Sequence, residues 1–138
     1  MTPIDGLITL QSKHAPAETM QRLMDALADH DVPVLAHIDH AAAAARARLE
    51  LRPTDLLIFG NAKAGTPLMA QVQTMGIDLP LKVLIWQDAE GKTWLGYNDP
   101  VVLAARHGAG NEKILTAMRE LLAAVTQEAA GAGDNSEM

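Results

Sequence analysis

At 138 residues and 49% apolar content, the chain is the size of one ordinary domain and can fold around a core without a metal or disulfide staple. The net charge of −6 argues against a broad nucleic-acid surface, which needs clustered Lys and Arg to displace counterions. The absence of Cys excludes a disulfide framework, a thiol nucleophile and a thiolate metal site; with aromatics at 3%, the core falls to Leu, Ile, Val, Ala and seven Met.

The first stretch, MTPIDGLITLQSKHAPAE, has no basic region leading into an apolar one, so no signal peptide is expected. No apolar run reaches the roughly 18 residues of a membrane helix. The expected location is cytoplasmic.

In chain order, residues 6–13 read as a first strand with partial alternation. An amphipathic helix follows, with Met20, Leu23, Met24 and Leu27 at helical spacing and Pro16 and Glu18 in its first turn. Residues 32–40 form a second strand, and 41–51 a short Ala-rich helix opened by Asp39 or His40 and ended by Pro53. Residues 54–61 are a third strand, apolar through its centre and therefore expected to be buried on both faces. Thr66 as N-cap and Pro67 at the first helical position predict a helix over 66–75. Residues 79–88 and 92–98 make a hairpin about a tight Ala-Glu-Gly turn. A short helix over 99–108 is capped by Asp99, and a long one over 111–129 carries a stripe of Ile114, Leu115, Met118, Leu121, Leu122 and Val125. One α+β domain over residues 5–129 results, a mostly antiparallel sheet with helices packed on one face, followed by a flexible tail over 130–138.

The segment LIFGNAKAGTPLM approaches a phosphate-binding loop, with Gly60, then Gly65 and Thr66. Such a loop needs Lys directly before Thr or Ser to reach the terminal phosphates, and here Gly65 holds that place while Lys63 sits two positions early. The segment therefore reads as a sharp turn into a helix, although free amides at a helix start beside Lys63 can hold a small anion.

His37 and His40 are too few for a metal shell, and His14, His30 and His107 are remote in sequence, so no metal and no cofactor are expected. His37 instead reads as half-buried with a hydrogen-bond partner. Tyr97, Asn98 and Asp99 form a polar concentration at the end of the fifth strand. Lys82 is a lone charge in an apolar strand, either snorkelling from an edge or paired with a carboxylate.

The motifs PTDLLIFGNAKAGTPLM, IDLPLKVLIW and GYNDPVVLAARHG, with DHAAAAARA before the third strand, resemble the domain of unknown function 302 family over about residues 5–127. The family usually has Pro after Gly-Asn, where this chain has Ala62. The resemblance implies a β-α-β(4)-α outline with short extra helices, similar to the TATA-box-binding-protein-like class in fold and not in DNA binding. It also implies association as dimers. It supplies no reaction; the positions it carries over without a role are Asp39, His40, Gly60, Asn61, Gly65, Thr66, Lys82, Tyr97, Asn98, Asp99 and His107.

Three functions remain open on these residues. The first is a homodimeric domain that binds or senses a small molecule, a small anion among the candidates, where the Asn61–Thr66 loop meets the Tyr97–Asp99 rim, using His40, Asn61, Lys63, Thr66, Lys82, Tyr97, Asn98, Asp99 and His107. The second is an enzyme with a His/Asp or Lys acid–base pair. The third is an interaction protein with no pocket and a large apolar dimer face. No nucleic-acid or membrane partner is expected.

Overall fold

The computed structural model describes residues 3–131. Five strands, β1 (Leu7–Ser12), β2 (Val34–Asp39), β3 (Thr54–Phe59), β4 (Leu81–Gln87) and β5 (Thr93–Asn98), form one sheet in the order β1-β5-β4-β3-β2. Every neighbouring pair is antiparallel. Helices α1 (Pro16–Asp29), α2 (His40–Arg46), α3 (Ala62–Gln71), α4 (Pro100–His107) and α5 (Glu112–Ala130) complete the α+β fold, with a 3-10 turn over Gln73–Ile77.

Side-chain alternation divides the sheet. Leu57 and Phe59 of β3, Leu81, Val83 and Ile85 of β4, and Leu95 and Tyr97 of β5 point to one face and are buried. Helices α1 and α5 cover that face with Met20, Leu23, Leu27, Leu115, Met118, Leu122 and Val125. Apolar stripes at helical spacing thus meet an apolar face at a period of two, as the sequence pattern requires. The middle of α1 also holds the end of α5. Arg22 Nε donates to the Ala129 carbonyl at 3.2 Å and Arg22 Nη2 to the Glu128 carbonyl at 2.8 Å, placing a cation on the last turn of α5.

Three features differ from the sequence reading, two element boundaries and one pattern of burial. Helix α3 starts at Ala62, not Thr66. Asn61 is extended (φ −132°, ψ 154°) and its Oδ1 accepts the Ala64 N–H at 3.1 Å, so a strong cap acts five residues earlier than Thr66. Pro67 then lies inside the helix. Having no N–H, it leaves the Lys63 carbonyl without its helical donor. Second, α2 ends at Arg46 and not near Leu51. None of its residues is buried, so packing does not extend it, and Arg48 adopts a left-handed φ of 63°. Third, β3 is buried on one face only; Leu56 and Ile58 are half-buried on the face opposite α1 and α5. Residues 132–138 of the expected tail lie outside the described residues.

The Asn61 cap gives a physical meaning to the proline that the resemblance implies after Gly-Asn, where this chain has Ala62. Ala62 is the first helical residue, where a proline's lost N–H has no helical partner to lose, and Asn61 already holds the extended backbone that a following proline demands. Ala62→Pro is therefore expected to stabilise the chain by about 0.4–1 kcal/mol through the unfolded state. Urea unfolding reads it as a higher midpoint at unchanged slope; a lower midpoint contradicts the assignment of Asn61 as the cap.

Candidate functional site

The end of the sheet where β3 leaves and β4 enters carries a cavity of about 460 Å³. That is within the range of small-molecule sites. Leu35, Met69, Leu79, Pro80, Leu81 and Met118 supply its apolar wall. Asn61 and Thr66 are its polar side chains, and Gly60, Ala62, Ala64 and Gly65 bring backbone to its rim. Gly60 makes the exit from β3 with φ 145°, a backbone that side chains rarely tolerate. Leu35 reaches the cavity from the exposed edge strand, at a register shift between Val34 and Ala36 that re-aims the side chain. A second hollow shares Gly60, Asn61, Ala64, Leu81 and Met118 with the first and runs along α5 to Asn111 and Lys113.

Only part of the expected constellation gathers here. Asn61 and Thr66 line the cavity; Lys63, on the same helix turn, does not. Lys82, Asn98 and Asp78 line a separate cleft of about 10 Å³. That is room for roughly one water molecule. Lys82 Nζ donates to the Pro80 carbonyl at 3.0 Å, so the lone charge of β4 is turned to the strand's own start.

Tyr97 is 7% exposed, pointing with Leu95 into the core beneath the helices, and burial raises its phenol pKa above the ordinary value. Its hydroxyl is thus neutral across the physiological range. Asp99 caps α4 by accepting the Val101 N–H at 3.0 Å and pairs with Arg119 Nη2 at 2.9 Å. His40 is the first residue of α2; Asp39 is the cap, accepting the Ala42 N–H at 2.8 Å. His37 has the expected partner, its Nε2 lying 2.9 Å from Asp55 Oδ1 on the neighbouring strand, but it is exposed and not half-buried, because every residue of the edge strand β2 is open to solvent.

His107 has the most ordered surroundings of the histidines. Its Nε2 is 2.6 Å from Asp78 Oδ2 and its Nδ1 is 2.9 Å from Thr74 Oγ1, with the side chain 8% exposed. These bonds fasten the end of α4 to the 3-10 turn. Asp78 alone of the three touches a cavity, and that cavity is the one-water cleft. Among the described residues no group of three or more His, Cys, Asp or Glu is placed to hold a metal ion.

Sequence reasoning missed Leu35, Met69, Leu79, Pro80 and Met118 as cavity residues. They come from four separate segments, and as apolar residues they carry no signal that separates a cavity wall from core.

Comparison with known proteins places this geometry in context. The profile of the domain of unknown function DUF302 matches residues 8–129. The chain belongs to the DUF302 family. The crystal structure of an uncharacterized conserved DUF302 protein from Bacillus stearothermophilus superposes with a TM-score of 0.80 at 20% identity, covering 91% of this chain and 99% of that one. The family resemblance read from the Gly60 loop and the GYNDP motif holds, and so does the α+β fold it implied. Fluoride-specific ion channel FluC 1 of Brucella suis is 43% identical over 128 residues, 91% of this chain and 50% of that protein. FluC 1 of Brucella abortus matches at 43% over 47% of its length. This DUF302 chain therefore spans about half the length of the curated relatives it matches. Among its described residues no helix is long and apolar enough to cross a membrane.

Proposed function

We propose that this DUF302 chain is a small-molecule-binding or sensing domain whose site is the cavity between α3, the Leu79–Leu81 segment and α5. The observation that supports it is the lining itself: six apolar side chains close a volume of about 460 Å³ around two polar ones. Such a wall selects a largely apolar ligand with one polar end. Asn61 Oδ1 is taken by its cap bond, which leaves the Asn61 amide N–H and the Thr66 hydroxyl for the ligand's polar group. No Lys, Arg or His lines the cavity, so the wall favours an uncharged ligand over an anion. Titration with the uncharged fluorophore N-phenyl-1-naphthylamine tests the reading. One saturable site with strongly enhanced emission is expected, and emission that rises linearly without saturation contradicts it.

A second reading is favoured by the Brucella relatives, which carry a fluoride-channel name on proteins about half covered by this chain. In that reading the domain serves fluoride handling in partnership with a channel. Deleting its gene should then lower the fluoride concentration that arrests growth, with restoration by the intact chain. Unchanged tolerance contradicts this second reading and leaves the cavity reading standing.

A further inference from the structure

The second hollow extends the cavity into a channel with one charged end. It measures about 490 Å³ and joins the first through Gly60, Asn61, Ala64, Leu81 and Met118. Val32, Ile114, Met118 and Leu121 give it an apolar floor. Its one charged side chain is Lys113, with Asn111 beside it at the same end. No carboxylate lines the hollow; Glu112 and Glu120 line a different depression that Lys113 also borders. Lys113 is exposed, and among the described residues its ammonium forms no ion pair, in a chain with 17 acidic residues against 11 Lys and Arg. Asn111 Oδ1 accepts the Ile114 N–H at 3.1 Å, which leaves the Asn111 amide N–H for another acceptor. Asn111 is the cap of α5, so Lys113 is its second helical residue. The partial positive charge at a helix start disfavours a cation there. Lys113 thus stands against the local preference of its own helix, at the one place where the apolar channel opens to water.

We infer that the ligand is a free fatty acid, its alkyl chain in the cavity and its carboxylate at Lys113 and the Asn111 amide. This rests on the cavity reading and narrows it. The first cavity holds no charged side chain, so its wall selects the part of the ligand that lies within it, and the charge stays outside, at the far end of the second hollow. The length agrees. Lys113 and the shared Met118 are five residues apart on α5, roughly 7.5 Å at about 1.5 Å per residue. An extended alkyl chain advances about 1.25 Å per carbon, given C–C bonds of about 1.5 Å. About six carbons therefore bridge the second hollow, and the remainder of a medium-length chain enters the 460 Å³ beyond Met118. Charge complementarity selects the head group. A neutral alcohol of equal length fills the same walls and leaves Lys113 unpaired, and a cationic amphiphile meets repulsion from it.

Displacement of bound N-phenyl-1-naphthylamine by laurate and by dodecanol, which have chains of equal length, tests the inference. Laurate should displace the probe completely, at a concentration about threefold to fivefold lower than dodecanol, the margin of an exposed ion pair. Lys113→Glu should abolish or reverse that preference. Its circular dichroism should match the wild type, since a carboxylate suits the first turn of a helix. Lys113→Gln, which only removes the charge, repeats the test if the reversed charge disturbs the fold. Laurate that binds no better than dodecanol, or a preference that survives both substitutions, overturns the inference while saturable probe binding keeps the cavity reading. Laurate that binds without displacing the probe also overturns it, because the fatty acid then lies elsewhere. Absence of saturable probe binding is a different result: the cavity reading itself fails, and the fatty-acid site fails with it.

Discussion

Gly65→Leu is expected to weaken binding of N-phenyl-1-naphthylamine about fivefold while the chain stays folded. Gly65 sits on the cavity side of α3, where an added Cβ meets only the ends of flexible side chains, Leu79 Cδ1 at 3.6 Å and Met69 Cε at 3.7 Å. Both are ordinary contacts, so the substitution does not break the helix; replacing a helical glycine favours it by up to about 1 kcal/mol. The rest of the leucine extends into the cavity. The three carbons beyond Cβ displace about three ligand atoms at roughly 0.3 kcal/mol each, together about 0.9 kcal/mol, or roughly fivefold in affinity. Circular dichroism of the variant should match the wild type. Unchanged affinity would move the binding site away from α3.

Phe59→Ala should cost about 3–5 kcal/mol of stability, the largest loss expected from one truncation in this chain. Phe59 is the single Phe and is fully buried, the last residue of β3, paired with Leu81 on the helix-covered face. Its removal opens a void beneath the point where Gly60 and Asn61 leave the sheet. Against the low end of the roughly 5–15 kcal/mol typical of a whole domain, the variant retains about two fifths of its stability or less. Urea unfolding should show the midpoint falling with the slope preserved. A loss below about 1 kcal/mol would mean that the site collapses freely and that the core is not close-packed there.

Much of the fold is legible in the sequence because its signals are local. Met20, Leu23 and Leu27 recur at helical spacing and are buried as that spacing demands. Asp99 precedes Pro100 and caps α4 through its own side chain. The start of α3 was less legible because two valid cap signals compete within six residues, and Asn61 prevails over the Thr66-Pro67 pair. The candidate site was legible only in its loop. Asn61 and Thr66 reach the cavity, but its walls come from Leu35, Leu79 and Met118, which strand order and helix docking bring together. Tyr97 shows the remaining limit. Its polarity suggested a rim position, yet in β5 it shares a side with Thr93 and Leu95, and the two-residue period sends it into the core. The apolar centre of β3 pointed to burial on both faces, but only the Leu57–Phe59 side is buried, because apolar composition alone does not say which faces other elements cover.

The cavity reading is tested most directly by methyl resonances of the methionines during titration with N-phenyl-1-naphthylamine. Met69 and Met118 line the cavity, whereas Met20 and Met24 lie on α1, away from its wall. Saturable shifts at Met69 and Met118, with Met20 and Met24 unmoved, are the predicted result. Shifts confined to Met20 and Met24, or none at saturating probe, would contradict a ligand site between α3 and α5.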